Sequence, residues 1–195
     1  MDKRQFLGAA CLAAGALPAV QAGAAPAKPA PGPALLTVTG DIRHTNRGPF
    51  DPVLDQMMHK QKISFSKAFT FDSRALASLP AVEIKPTLEY DGKVHVLKGP
   101  LLVEVMAAAG AQLRDTSKLV LRAVDGYAVT LPLAQARSDR FIVATHIDGK
   151  PMALGGLGPL WALYDADRVP EMAAKPVAGR FGACPWALYH VDVVA

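Results

Sequence analysis

A glycine-rich loop at residues 155–158 runs directly into an apolar segment that carries Trp161. Glycines let backbone N–H groups approach a ligand closely, and an aromatic ring beside them can stack on a flat heterocycle. Gly158 is therefore a candidate ligand-binding residue. Trp161 and Tyr127 are the candidate stacking walls, whereas Trp186 is expected in the core. A plain turn before a buried strand is the alternative interpretation of the loop.

Polar side chains in other loops have the chemistry to hold the edge of such a ring. Asn46 and Arg47 can donate hydrogen bonds to ring carbonyls or to an anionic tail. Asp125 and Glu89 carry carboxylates, which can accept a pair of hydrogen bonds from an amino group and a ring N–H. Ordinary turns around Asn46 and Asp125, and a solvated charge at Glu89, are the alternatives.

The sequence contains none of the common catalytic or metal-binding motifs. Its five histidines stand at no zinc-binding spacing, and no nucleophile elbow, P-loop or dinucleotide fingerprint occurs. Cys184 precedes a strongly apolar segment, which favours a small buried packing residue over a reactive thiolate. We therefore predict no catalytic residue and no metal ligand.

The mature part of the chain resembles the small sulfite-oxidase-type molybdopterin-binding domains, and the resemblance covers most of its length. The shared stretches follow in a family-like order and spacing. They are TNRGPFD at 45–51, GPLL at 99–102, AGA at 109–111, DGY at 125–127, LPL at 131–133, GPLW at 158–161 and WALY at 186–189. The resemblance implies a compact, β-rich mixed-sheet fold with a pterin-type or molybdopterin-like ligand.

Two departures from the family pattern bear on the expected ligand. Enzymes of this family hold molybdenum through a cysteine thiolate, but the corresponding residues 84–90 include Glu89 and no cysteine. Carboxylate oxygens are poor substitutes for that soft ligand, so molybdenum is not expected. Relatives also tend to carry an arginine in the GPLW loop, where this chain has Leu157. We therefore expect a preference for unphosphorylated pterins.

The resemblance leads to one favoured function and two alternatives. The favoured function is a periplasmic, non-catalytic protein that binds a small pterin-type molecule and acts through the periplasmic domain of a membrane sensor. The first alternative is a molybdopterin-dependent oxidoreductase that holds its metal through an unusual ligand or Cys184. The second is an interaction module with a filled pocket.

The N-terminal residues predict export. A basic start and a short apolar run at residues 1–22 read as a cleavable signal peptide, followed by a Pro/Ala-rich tether at 23–34 and a single domain at 35–195. The expected location is periplasmic or secreted. The net charge of +4 comes without a basic run, so a nucleic-acid partner is not expected.

Periodicity in the chain predicts an α+β fold rich in strands. Short helices are expected from Asp51 to His59, after an Asp72 cap, and from Gly99 to a left-handed stop at Gly110. The predicted strands cover residues 35–42, 63–71, 119–124, 128–131, 141–147, 160–164 and 186–194.

Overall fold

The computed structural model describes residues 30–195, so the predicted signal peptide and most of the predicted tether lie outside the described residues. Within 30–195 the fold combines mixed β-sheets with short helices, which confirms the predicted α+β class. No helix in this part of the chain is long and apolar enough to cross a membrane.

The described part contains eleven strands, five α-helices and two 3-10 helices. The strands are β1 (Leu36–Gly40), β2 (Ala68–Phe71), β3 (Ala81–Ile84), β4 (Leu97–Pro100), β5 (Lys118–Ala123), β6 (Ala128–Pro132), β7 (Ile142–Ala144), β8 (His146–Ile147), β9 (Lys150–Pro151), β10 (Trp161–Leu163) and β11 (Leu188–Val194). The helices are α1 (Gln56–Lys60), α2 (Ser73–Ala77), α3 (Leu102–Ala108), α4 (Leu133–Ser138) and α5 (Pro170–Ala173), with 3-10 turns at Ala166–Arg168 and Val177–Gly179.

The largest sheet has five strands in the order β2-β1-β11-β5-β6. The last strand, β11, lies at its centre, parallel to β1 and antiparallel to β5. Most of β11 is buried, as expected for a central strand covered on both faces. The end of β5 meets the start of β11, where Ala123 pairs with Leu188. This pairing brings the β5–β6 turn beside the residues that precede β11.

Two smaller sheets complete the fold: β3-β4-β8-β9 and the pair β7-β10. They approach closely at Gly99, where a Cβ atom would stand only 2.7 Å from the Val143 carbonyl carbon. The packing at Gly99 therefore needs a residue without a side chain.

Helix α3 packs into the core through Leu102, Val105 and Met106, all of which are fully buried.

The predicted helix signals at Asp72 and Gly110 are confirmed. The Asp72 carboxylate accepts a hydrogen bond from the Ala75 N–H at 2.7 Å and caps α2. Gly110 follows α3 with a φ of +72°, the left-handed conformation that ends a helix. The helix itself begins at Leu102, because Gly99 and Pro100 pair with β3 and belong to β4.

The predicted helix at Asp51 begins later in the structure. The Asp51 carboxylate does accept hydrogen bonds from the N–H groups of Val53 and Leu54, at 2.7 and 3.0 Å. These bonds close a separate turn, and α1 starts only at Gln56. A capping signal at this position therefore predicted the hydrogen bonds but misplaced the helix.

The predicted strand at 63–71 is confined to β2, Ala68–Phe71. Lys62 adopts a left-handed φ of 58° after α1, and the chain then turns inwards. Ile63 packs with Met58 and Tyr189 in a small second core instead of pairing with a neighbouring strand. Alternating apolar residues at 63–65 thus reflect packing on this small core.

Candidate functional site

A cavity of about 360 Å³ lies where the β5–β6 turn meets the segment before β11. Its volume falls in the range of small-molecule sites, about 300–1,000 Å³. A third segment, between β3 and β4, also lines the cavity. The lining residues are Glu89, Tyr90, Ala123, Asp125, Tyr127, Ala178, Phe181, Gly182, Cys184, Pro185 and Trp186.

The β5–β6 turn presents Asp125 and Tyr127 to this cavity. One carboxylate oxygen of Asp125 accepts a hydrogen bond from the Tyr127 N–H at 2.9 Å, and Gly126 takes a φ of +93° between them. The Tyr127 hydroxyl donates a hydrogen bond to the Gly182 carbonyl on the opposite wall. The turn therefore holds the Tyr127 ring in place and leaves the second Asp125 oxygen without a hydrogen-bond partner among the described residues.

The segment between β3 and β4 supplies Glu89 and Tyr90. It is anchored by Thr87, whose N–H and hydroxyl both donate hydrogen bonds to one Asp167 oxygen, at 2.7 and 2.8 Å. Its tip is closed by a hydrogen bond from the Leu88 N–H to the Lys93 carbonyl. Burial raises the pKa of the Tyr90 phenol, and the adjacent Glu89 carboxylate raises it further. Tyr90 therefore stays neutral near pH 7.

The floor of the cavity is formed by Phe181 and Cys184, with Trp161 beneath them. The Trp161 indole N–H donates to the Cys184 carbonyl at 2.9 Å. The Trp161 ring lies 6.3 Å from the Tyr90 ring and 6.1 Å from the Phe181 ring, measured between centroids. This aromatic packing supports the floor from below.

The thiol of Cys184 is not arranged to act as a nucleophile or metal ligand. Burial strongly raises its pKa, and the nearby Glu89 and Asp139 carboxylates add to the shift. The thiol is therefore protonated near pH 7. Nucleophilic attack and metal binding both require the thiolate, so Cys184 is inert in this state. Among residues 30–195 no group of three or more His, Cys, Asp or Glu side chains is arranged to hold a metal ion. The cavity therefore offers no accessible thiolate of the kind that the family resemblance associates with molybdenum.

The lining carries negative charge only. It contains two carboxylates, Glu89 and Asp125, and no lysine, arginine or histidine. The nearby Arg180 is engaged elsewhere: its guanidinium binds Asp167 and donates to two backbone carbonyls at 2.9 Å. An anionic tail on a ligand would therefore meet no cationic partner in this cavity.

The structure brings three of the predicted site residues together in the cavity: Glu89, Asp125 and Tyr127. Asn46 and Arg47 lie outside it. The Asn46 amide is hydrogen-bonded to the backbone and hydroxyl of Thr70, and the Arg47 guanidinium binds the Asp55 carboxylate at 2.7 and 2.9 Å. Both side chains hold the loop before α1 against its neighbours.

Gly158 and Trp161 also lie away from the cavity surface. Trp161 is 0% exposed, so its ring packs in the core and cannot form a stacking wall. Gly158 is buried, and a Cβ atom there would stand 2.5 Å from Met152 Cβ. Its lack of a side chain is needed for this close packing rather than for contact with a ligand.

Three aromatic residues of the cavity could not be placed there from sequence: Tyr90, Phe181 and Trp186. Trp186 was expected in the core, yet it is 37% exposed and lines the wall. Tyr90 stands next to the candidate Glu89, which is the one local signal that could have identified it. Phe181 has no such signal, because the tertiary fold alone brings it to the cavity.

Comparison with known proteins adds information about the fold. No family model matches the chain, and no curated protein matches it. Among solved structures, the sulfane dehydrogenase SoxCD from Paracoccus pantotrophus aligns over 81% of this chain with a TM-score of 0.52 and 10% sequence identity. The two proteins have related folds. The chain spans about 37% of the matched SoxCD chain, and at this identity the likeness concerns the fold alone.

Proposed function

We propose that this chain is a non-catalytic binding protein for a flat, pterin-type molecule, which it holds in the cavity without a metal. The observation that carries the proposal is the composition of that cavity. It combines aromatic walls with the Glu89 and Asp125 carboxylates, while its one thiol is buried and protonated. Such a site can bind a ring but lacks the soft ligand for a redox metal.

A pterin ring matches the chemistry of these walls. Its amino group and ring N–H are donors, for which the free oxygen of Asp125 and the carboxylate of Glu89 are acceptors. Tyr127 and Trp186 offer partly exposed aromatic faces for stacking. An unphosphorylated pterin is favoured, because the cavity lining contains no lysine, arginine or histidine to pair with a phosphate.

A molybdopterin-dependent oxidoreductase is the second candidate. The related fold of a sulfane dehydrogenase favours it. Its metal would be held through an unusual ligand or through the Cys184 thiolate, whose formation burial opposes. Where Cys184 is the ligand, the two candidates make opposite predictions for a Cys184→Ala variant, and stoichiometric molybdenum on the unmodified chain would support the enzyme with either ligand.

The same proposal includes export to the periplasm and signalling through contact with the periplasmic domain of a membrane sensor. They are motivated by the apolar N-terminal run and by the family resemblance. A sensor domain that associates with the purified protein only when pterin is present would support this output. Pterin-independent association, or none, would contradict it.

The decisive experiment is a thermal-shift titration with reduced and oxidised pterin, with molybdenum quantified on the same preparation. At about a hundred times Kd, binding contributes about 2.7 kcal/mol. This raises the Tm of a chain of this size by about 5–10 °C. We expect that shift without bound molybdenum, and we expect Cys184→Ala to retain it.

The variants and alternative outcomes separate the three functions. Tyr127→Ala should lose most of the shift, whereas the distant Asn46→Ala should retain it. Stoichiometric molybdenum that disappears in Cys184→Ala would restore the enzyme function. Neither a shift nor a metal would point to an interaction module.

A further inference from the structure

The cavity that we assign to ligand binding has a second property: its walls are suited to positive charge. We propose that it selects a flat organic cation over a neutral or anionic ring of the same size. This inference rests on the proposed use of the cavity and specifies the charge class of its ligand. Two independent observations support it, one from the aromatic walls and one from the charges.

The exposed aromatic side chains of the described residues all meet at this cavity. Tyr90, Tyr127 and Trp186 are 56%, 48% and 37% exposed, and no other large aromatic side chain in residues 30–195 is exposed to that degree. Phe181 adds a buried fourth ring at the floor. Exposed aromatics gathered around one concavity mark a binding site, and their faces attract a cation within about 6 Å.

The charges around these rings have one sign. Glu89 is half-buried beside Tyr90, and no residue in the described range 30–195 forms a hydrogen bond with the second carboxylate oxygen of Asp125. The lining provides no lysine, arginine or histidine to neutralise them, and Arg180 is bound to Asp167. A positive ligand would therefore gain from both carboxylates and from the ring faces, while a negative one would be repelled by both.

This charge pattern does more than fail to attract a phosphate. A pocket that only lacked a cation would bind phosphorylated and unphosphorylated rings with similar affinity. Two uncompensated carboxylates instead add a repulsive element, and this is the usual means by which a site rejects a closely similar ligand. The preference should therefore run in the order cation, neutral ring, anion.

The test uses a pair of flat ligands that differ in charge and little in size: 1-methylnicotinamide, a cation, and neutral nicotinamide. Isothermal titration of the purified chain at low salt should show at least tenfold tighter binding of the cation. The ratio should fall at 0.5 M salt, because the Asp125 side of the site is exposed to solvent. Nicotinic acid, the anionic counterpart, should bind more weakly than nicotinamide.

Matched variants identify the groups responsible. Glu89→Gln and Asp125→Asn remove one charge each with little change in shape, and each should reduce the cation-to-neutral ratio at least threefold. Asp125→Asn keeps an oxygen that can accept from the Tyr127 N–H, so the turn is retained. Asp115→Asn is the control, because this carboxylate is 98% exposed, pairs with Arg137 and lies outside the lining.

The outcomes separate this inference from the proposed function. If pterin binds but 1-methylnicotinamide shows no advantage over nicotinamide, the charge preference is overturned and the pterin proposal stands. If 1-methylnicotinamide binds through Glu89 and Asp125 while pterin does not, the proposed ligand is wrong and the charge preference stands. If none of these rings binds, both proposals are overturned.

Discussion

Cys184 lies in the cavity floor, yet only 5% of its surface is exposed and its pKa is raised by burial. Each unit of upward shift reduces the thiolate fraction tenfold at a given pH. We therefore expect maleimide to label Cys184 in the folded protein at least about a hundredfold more slowly than a free thiol. The measurement uses a Cys11→Ser background, in which Cys184 is the single remaining thiol.

Labelling of the same variant in denaturing urea provides the control, since unfolding removes the burial. There the rate should approach that of a free thiol. Rapid labelling under native conditions would show that the thiolate forms in the folded state. It would also remove the main chemical objection to a metal ligand at this position.

The two tryptophans show what residue type can and cannot predict. Both precede apolar segments near the C-terminal third of the chain, and sequence alone assigned Trp161 to a wall and Trp186 to the core. The structure has the opposite arrangement, because Trp161 belongs to β10 and pairs with β7, while Trp186 stands before β11 begins. Exposure here depends on sheet order, which local sequence does not reveal.

The segment between β3 and β4 is held at its far end by a carboxylate–histidine–carboxylate cluster. The His95 ring lies between Asp148, at 2.7 Å, and Asp91, at 3.1 Å. Hydrogen bonds to these carboxylates, Asp148 first, raise the pKa of His95. The pKa values of both carboxyls are lowered, that of Asp148 chiefly by His95 and that of Asp91 by the Lys93 N–H and then His95. The stabilisation that the cluster gives to the segment carrying Glu89 therefore depends on pH.

The sign of this pH dependence follows from the directions of the shifts. The raised pKa of His95 gives a stabilisation that is fully present below its ordinary value of 6.5 and is lost as pH rises through the raised value. The lowered pKa values of the carboxyls give a stabilisation present above 3.8 and lost as pH falls through the lowered values. The cluster therefore stabilises most between those two pH values.

We predict that His95→Gln lowers the Tm by about 1–3 °C in that window and by less above it. Thermal melts from pH 4 to 9 measure the difference from the unmodified chain. His59→Gln is the control, because His59 has no carboxylate partner among the described residues. A difference for His95→Gln that stays constant with pH would show that the ion pairs contribute nothing.

Elements with strong local signals could be predicted, and those defined by distant partners could not. Asp72 and Gly110 control the ends of their helices through their own backbone, so sequence was sufficient. Strand β3 is a half-exposed edge that pairs only with β4, and a sheet edge lacks the apolar run that identifies a central strand. Neither β3 nor β4 was predicted as a strand. These two strands flank the segment that supplies Glu89.

At the scale of the whole molecule, the fold class follows from sequence, but most of the cavity lining does not. The Asp-Gly pair at 125–126 forms a local turn, and the structure places this turn at the cavity. The motif at 45–51 stabilises the loop before α1, and the motif at 158–161 packs in the core. A related fold at 10% identity leaves the functional residues free to differ.

The two smaller sheets pack closely at Gly99 because this residue has no side chain. A substitution at Gly99 therefore tests how the sheets are held together. A Cβ at Gly99 would stand 2.7 Å from the Val143 carbonyl carbon and 2.8 Å from the Ala144 Cα, both backbone atoms of β7. Backbone cannot move aside as a flexible side chain can, so β4 and β7 would have to separate. We predict that Gly99→Ala lowers the free energy of unfolding by about 2–4 kcal/mol.

Urea denaturation measures this loss, with Gly48→Ala as the matched control. Gly48 is exposed, and a Cβ there would have no atom within 4 Å, so its substitution should change the free energy of unfolding by at most about 0.5 kcal/mol. Equal midpoints for the two variants would mean that β4 and β7 tolerate separation. In that case the close approach at Gly99 would not be what joins the sheets, and the cavity segment that precedes β4 would be less firmly positioned than the structure indicates.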